Sequence, residues 1–164
     1  MDPDFLGYLI DRYSAALILF ARSWCHCPED VVQEVFIRLA RQREAPAHPA
    51  AWLYRSVRNA AISAGRSERR RQNHEGTVAN RAQLFFIPPE DAAGLDAALA
   101  SEALNKLPVE QREVIVAHLW GGLTFEQIAE LTGSSAATAW RRYGAGLAEL
   151  RQLMGVPCKI PPGK

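Results

Sequence analysis

Apolar side chains along this chain recur at helical spacing in block after block, separated by polar or proline-bearing breaks. Phe5, Leu6, Leu9, Tyr13, Ala16, Leu17 and Phe20 follow i, i+3, i+4 spacing, which predicts a helix through about Trp24. Asp2-Pro3 can cap and open it, with proline at the first helical position. Cys25 to Cys27 reads as a short break. Pro28-Glu29-Asp30 opens a second helix with acids at its positive end. Val32, Val35, Phe36 and Leu39 form the apolar stripe of that helix, and Asp30, Gln33, Glu34 and Arg38 its polar side. Residues 42–48, QREAPAH, form a polar loop. Pro49 begins a third helix reaching Arg71, with Trp52, Leu53, Val57, Ala60 and Ile62 as its candidate core. From Gln72 to about Gly94 periodicity fails and Gly76, Asn80, Pro88 and Pro89 punctuate the chain, which predicts a linker. Leu84, Phe85, Phe86 and Ile87 form an apolar patch within it, suited to docking on a neighbouring domain or a partner.

Helical pattern resumes with Leu95, Leu99, Ala103 and Leu107. Pro108 opens a further helix, with Val109, Val114, Ile115 and Leu119 inward, and Gly121-Gly122 ends it. The stretch TFEQIAELTGSSAATAWRRYGAGLAELRQLM, from Thr124 to Met154, is the most informative in the chain. Thr124 and Gln127 make a capping-box pattern, and Ile128, Ala129 and Leu131 give a short helix its apolar side. Gly133 breaks that helix, and Ser134 or Ser135 caps the next, whose apolar positions include Ala139, Leu147 and Leu150. Two helices joined by a tight glycine turn make a helix-turn-helix. In such a motif the N-terminal residues of the second helix face base edges in the major groove. Here those positions hold Ser135, Ala136, Thr138, Trp140, Arg141 and Arg142. An ordinary helical hairpin with solvated arginines is the plainer alternative.

The formal net charge of +1 leaves no global basic field, so any attraction to nucleic acid must be local. Arg55, Arg58, Arg66, Arg69, Arg70 and Arg71 supply a local one, gathered toward the far face and the end of the third helix. Trp52 and Tyr54 lie among them, a combination suited to phosphates and unstacked bases. A solvated basic helix end would also complement the macrodipole. No apolar run approaches the roughly 18 residues of a membrane span. The run from Ala15 to Ala21 follows Asp2, Asp4 and Asp11, which a secretory signal would not carry, so the sequence predicts a cytoplasmic protein. Cys25, Cys27 and Cys158 are an odd number, which argues against a disulfide framework. Cys25-His26-Cys27 invites a metal reading, but zinc sites space paired cysteines more widely and need a second ligand pair, so no metal and no cofactor are expected. His26, His48, His74 and His118 are scattered without a paired carboxylate pattern, and no enzyme is expected.

Taken in order, these pieces resemble a bacterial RNA polymerase sigma factor of the extracytoplasmic-function class, group 4 of the sigma-70 family. The resemblance rests on PEDVVQEVFIRLAR at residues 28–41, AWLYRSVRNAAISAGRSERRR at 51–71 and the run from Leu104 to Arg151. It implies an all-α chain of two small helical domains, a region 2-like bundle and a region 4-like helix-turn-helix domain, joined by a flexible linker. The implied boundaries are residues 1–72, a linker at 73–94, residues 95–155, and a tail at 156–164 that the prolines suggest is frayed. The resemblance implies promoter initiation with core RNA polymerase, through the β′ clamp helices and the β subunit. Asp30, Gln33, Glu34 and Phe36 fall where the family grips the clamp helices. Arg43, His48, Trp52, Arg55, Arg58, Asn59, Arg66, Arg69, Arg70 and Arg71 fall on the part that reads the −10 element, where the loop at 42–48 would hold a flipped base. Ser135, Thr138, Trp140, Arg141 and Arg142 fall on the −35 recognition helix. Trp140 and Arg141 stand where the family often has lysine and serine, which implies a non-standard −35 sequence. An anti-sigma factor is a further partner common in the family. The competing reading is a stand-alone helix-turn-helix regulator that binds palindromic duplex without polymerase.

Overall fold

A computed structural model of the chain describes residues 2–75 and 94–155, with side chains for 2–73 and 100–155. The described residues form helices and no strand. These are α1 (Pro3–Ala21), α2 (Pro28–Ala40), α3 (Pro49–Glu75), α4 (Gly94–Lys106), α5 (Val109–Leu119), α6 (Phe125–Thr132) and α7 (Ala136–Leu153). The apolar patch Leu84–Ile87, the tail, Cys158 and the side chains of Leu95 and Leu99 lie outside the described residues.

Local chemistry sets the element ends. The Asp2 carboxylate accepts the Asp4 amide at 3.1 Å, and Pro3 follows at the first helical position. Helix α1 stops at Ala21, three residues short of the sequence expectation, and a turn through Trp24 follows. Pro28 opens α2 as expected. Helix α3 continues unbroken to Glu75, past the Arg71 end read from the sequence and into the segment expected as linker.

Helices α1, α2 and α3 pack together around Leu17, Phe20, Val35, Leu39, Leu53 and Val57, all fully or nearly fully buried. Each such side chain contributes about 1.5–3 kcal/mol through water exclusion. The burial pattern keeps Leu53 and Val57 in the core of α3 and adds Tyr54 and Ala61 to it. Leu53, Tyr54, Val57 and Ala61 face the core, whereas Ala60 and Ile62 are only half-buried. Gly65 fixes that rotation: a Cβ there would run into the Trp24 carbonyl, so the helix lies directly on the α1–α2 turn.

The second half packs α5, α6 and α7 together, with α4 against α7. Here too the sequence expectation needs correcting. Glu113, Val114, Ile115, Val116 and Ala117 form a buried run in α5, while Leu119, expected inward, is 51 % exposed and Val109 is half-buried. The cause is that α5 is covered from more than one side. It packs against α7 and α6 in its own half and against α1 of the other. The two halves thus share one continuous apolar core.

Helices α5 and α7 approach closely because Gly146 has no side chain. A Cβ there would lie 2.7 Å from Ile115 Cδ1 and 3.1 Å from Gln111 Cβ, whereas one at Gly144 would meet nothing. Gly146→Ala is expected to cost about 1–3 kcal/mol through overpacking. Gly144→Ala should stabilise by up to about 1 kcal/mol, because alanine outranks glycine in an exposed helix. Denaturant midpoints of the two variants check the pair; equal shifts would refute this account of the crossing.

Candidate nucleic-acid interface

The helix-turn-helix forms as its sequence directs. The Thr124 hydroxyl accepts the Gln127 amide at 3.3 Å while the Gln127 side chain accepts the Thr124 amide at 3.0 Å, a complete capping box. Gly133 takes φ +66°, the left-handed conformation that ends α6, and Ser135 caps α7 by accepting the Thr138 amide at 3.1 Å. An aromatic group holds this motif on the end of α5. His118 stacks on Phe125 at 4.5 Å and meets the Tyr143 ring edge-on at 4.9 Å, and its Nδ1 lies 2.8 Å from the Leu123 carbonyl.

Five sequence-selected residues therefore come together on the first turns of α7. Ser135, Trp140 and Arg141 are exposed, with Trp140 at 62 %, and Thr138 and Arg142 are half-buried. Arg141 donates to the Thr138 hydroxyl at 3.3 Å, and so does Ser135 at 3.0 Å, so a short polar network orders the N-terminal face. The indole beside it is unsatisfied apolar surface next to two guanidinium groups. That surface can read base edges, hold phosphates and stack.

A second basic surface runs along α3. Arg66, Arg69, Arg70 and Arg71 are exposed and form no ion pair among the described residues. Asn59 is exposed on the same helix, Trp52 is half-buried at its start, and Arg43 and His48 are exposed on the loop that precedes it. Tyr54, read from the sequence as a ring interleaved with these cations, is a core residue instead. Its ring is fully buried edge-on to Phe20 at 4.9 Å, and its hydroxyl donates to the Val116 carbonyl of α5 at 3.5 Å.

Two of the α3 arginines do not face solvent alone. Arg55 pairs with Glu130 of α6 at 3.1 Å, both side chains exposed. Arg58, set over the Trp24 ring at 5.6 Å, pairs with Glu113 of α5. The Glu113 carboxylate is 3 % exposed. Burial pushes its pKa up, and the neighbouring Arg58 and the charge of Arg142 pull it back. The sequence reading missed Glu113. The available signal was an acid directly preceding the run Val114–Ala117, a position that is buried only if α5 is covered on several sides.

On α2, Asp30, Gln33 and Glu34 are exposed on one face, with Ile37 beside them and Glu34 3.8 Å from Arg38. Phe36 is not part of that surface. At 7 % exposure it lies on the core stripe with Val32, Val35 and Leu39, which corrects its assignment as a polymerase contact.

Cys25 and Cys27 are free thiols at the α1–α2 turn. Glu68 of α3 ties this turn down, accepting from the His26 amide and the Cys27 thiol, each at 3.3 Å. Burial pushes the Cys25 thiol up to about 12, and burial followed by the Glu68 contact raises Cys27. No group of three or more histidine, cysteine or acidic side chains among the described residues is placed to hold a metal.

Comparison with known proteins decides the family. The Sigma-70 region 2 family matches residues 9–71 and the Sigma-70 region 4 family matches residues 98–150. The chain is 35% identical over 127 residues to the ECF RNA polymerase sigma factor SigL of Mycobacterium tuberculosis, covering 75% of this chain and 72% of that protein. This chain is an ECF sigma factor of the sigma-70 family. It is also 31% identical over 133 residues to the sigma factor CarQ of Myxococcus xanthus, covering 77% of this chain and 74% of the other. Among solved structures, the sigma factor RpoE of Bartonella quintana, in complex with the anti-sigma factor NepR, superposes with a TM-score of 0.71 at 26% identity, covering 96% of this chain and all of that one. CnrH, in complex with the cytosolic domain of CnrY, shares the fold at a TM-score of 0.57 and 24% identity.

The sigma factor directs core RNA polymerase to promoters and starts transcription there, and the stand-alone regulator reading is not favoured. No helix among its described residues is long and apolar enough to cross a membrane. Its paired thiols carry a prediction. A thiolate is the reactive form, so in a Cys158→Ser background both Cys25 and Cys27 should alkylate slowly at mildly alkaline pH, Cys25 the slower. Glu68→Gln removes the charge that helps raise Cys27 and should speed its labelling severalfold, while Cys25 changes less. Mass-spectrometric labelling rates check this; equal rates for the two thiols would contradict the geometry.

Proposed function

We propose that this sigma factor reads its promoter with two surfaces and holds polymerase with a third. Arg55, Arg58, Asn59, Arg66, Arg69, Arg70 and Arg71 of α3, with Trp52, Arg43 and His48, form the −10 surface. Ser135, Thr138, Trp140, Arg141 and Arg142 form the −35 surface. Asp30, Gln33 and Glu34 are the acidic face for the β′ clamp helices. The two DNA surfaces belong to residues 1–72 and 95–155, so each is a module on its own side of the connecting segment. Two weak sites on one chain gain from effective concentration once polymerase engages both. The chain does no catalysis itself and works in the cytoplasm. The observation that carries this reading is that Arg66, Arg69, Arg70 and Arg71 form no ion pair among the described residues, on a chain of net charge +1. An exposed cation row of this kind is suited to phosphates.

An anti-sigma factor is proposed as a further partner, supported by the likeness to the Bartonella RpoE chain, which is bound to one. Two tests address the −35 surface and the polymerase face separately. Arg141→Ala removes an exposed guanidinium and is expected to weaken −35-dependent transcription about tenfold, a loss in the range of one base contact, with the melting temperature unchanged. A collapse in melting temperature would instead make the residue structural. Gln33→Ala with Glu34→Ala should weaken binding to core polymerase while leaving helicity intact; unchanged affinity would reject that face.

A further inference from the structure

One ring on the first turns of α7 stands in water. The Trp140 indole is 62 % exposed, more than any other large apolar side chain among the described residues. Its neighbours along the same face, Ala137, Gly144 and Ala145, are exposed and small, so the ring projects from a low surface. A Cβ at Gly144 would meet nothing within 4 Å. The polar groups nearby already have partners. Arg141 donates to the Thr138 hydroxyl at 3.3 Å, and the Ser135 hydroxyl accepts the Thr138 amide at 3.1 Å. An isolated exposed ring is ordinary on a protein surface, but this one lies on the part of a helix-turn-helix that a major groove receives.

We propose that Trp140 determines base choice at one position of the −35 element, and that it selects thymine through the C5-methyl group. This rests on the assignment of α7 to the −35 element. Base edges in the major groove are arrays of donors and acceptors with a single apolar group, the thymine methyl. An indole carries one donor, Nε1–H, and no acceptor. It cannot form the paired hydrogen bonds by which arginine fixes guanine or asparagine fixes adenine. Pressed on a guanine, adenine or cytosine edge, the ring strips water from polar atoms and returns too few hydrogen bonds, which is unfavourable. Against thymine it covers the methyl, and two apolar surfaces leave water together. Selection therefore comes from the cost at the other bases as well as from the gain at thymine.

The contact is small and its size follows from the area of one methyl group. Burying such a group changes an equilibrium about three- to fivefold. Arg141, the next residue, acts by charge and hydrogen bonding and is indifferent to a methyl. The two neighbours thus contribute different things: Arg141 holds the DNA, and Trp140 discriminates among bases at one step.

The test uses the full chain with core polymerase and a promoter library randomised across the −35 element. Wild type is expected to select templates with a thymine-dominated position, and W140A to lose the preference at that position alone. On a selected template, uracil in place of that thymine removes only the methyl and should lower wild-type transcription about three- to fivefold. W140A should transcribe both templates equally. Cytosine at the same position should transcribe poorly, and 5-methylcytosine should recover part of the loss. R141A should transcribe both templates more weakly and keep their ratio. A wild-type chain that ignores the uracil exchange would overturn the proposal, as would a W140A chain that still responds to it. Equal loss by W140A on every template would place the indole on a protein partner and overturn it too. The exchange is made in the DNA, so it decides even where W140A fails to fold; W140F, which keeps an apolar ring, should then retain the response to the methyl. A library with no base preference at any −35 position would count against the −35 surface as a whole. Preferences that persist without any response to the methyl overturn the role of Trp140 alone.

Discussion

Helix α5 has to be covered on several sides at once, and most of the architecture follows from that need. Val114, Ile115, Val116 and Ala117 are consecutive and fully buried, so no single neighbouring helix can shield them all. A helix that presents one apolar stripe is satisfied by one partner surface. This one takes α6 and α7 on its own side and α1 across the divide. Water exclusion therefore pulls the two halves into contact, and the Glu113 carboxylate in the same helix decides where they register, because an acid buried there needs a cation opposite it.

The proposed polymerase face and the contact between the halves lie on different elements. Asp30, Gln33 and Glu34 face solvent on α2, which packs on α1 and α3 and stays clear of the interface with α5. The N-terminal face of α7, the proposed −35 surface, is likewise open, with Trp140 and Arg141 exposed. Only the early part of α3 is occupied, through Tyr54, Arg55 and Arg58, while Arg66 to Arg71 remain outside it. The chain can thus present the acids of α2 and the N-terminal face of α7 while the early part of α3, in the proposed −10 surface, is engaged internally.

Much of this was legible from periodicity and caps. Asp2-Pro3, Pro28, Thr124 with Gln127, Gly133 and Ser135 each act through neighbours within a few residues, so their effect can be read from the sequence alone. The all-helical class and both basic surfaces followed from the same local logic. What could not be read were consequences of contacts distant in sequence. Tyr54 is buried because α5 covers it, not because its own helix requires that. Phe36 was given two roles, core and surface, and packing chose the first. Leu119 was expected inward because the apolar positions of α5 were read as one face, and the same assumption hid Glu113. In α3 the sequence showed Leu53 and Val57 as core but not Tyr54 and Ala61, whose burial depends on packing distant in sequence, as does the contact of Gly65 with the Trp24 carbonyl 41 residues away.

Gly121 gives the junction between the halves an inherited fragility. The Tyr54 ring occupies the space that any larger residue at 121 would claim. A one-base change coding alanine would crowd both the Ala117 carbonyl and the Tyr54 ring without altering any residue of the proposed DNA surfaces. Promoter output of such a protein would then change through packing at this junction while its target sequences stayed the same.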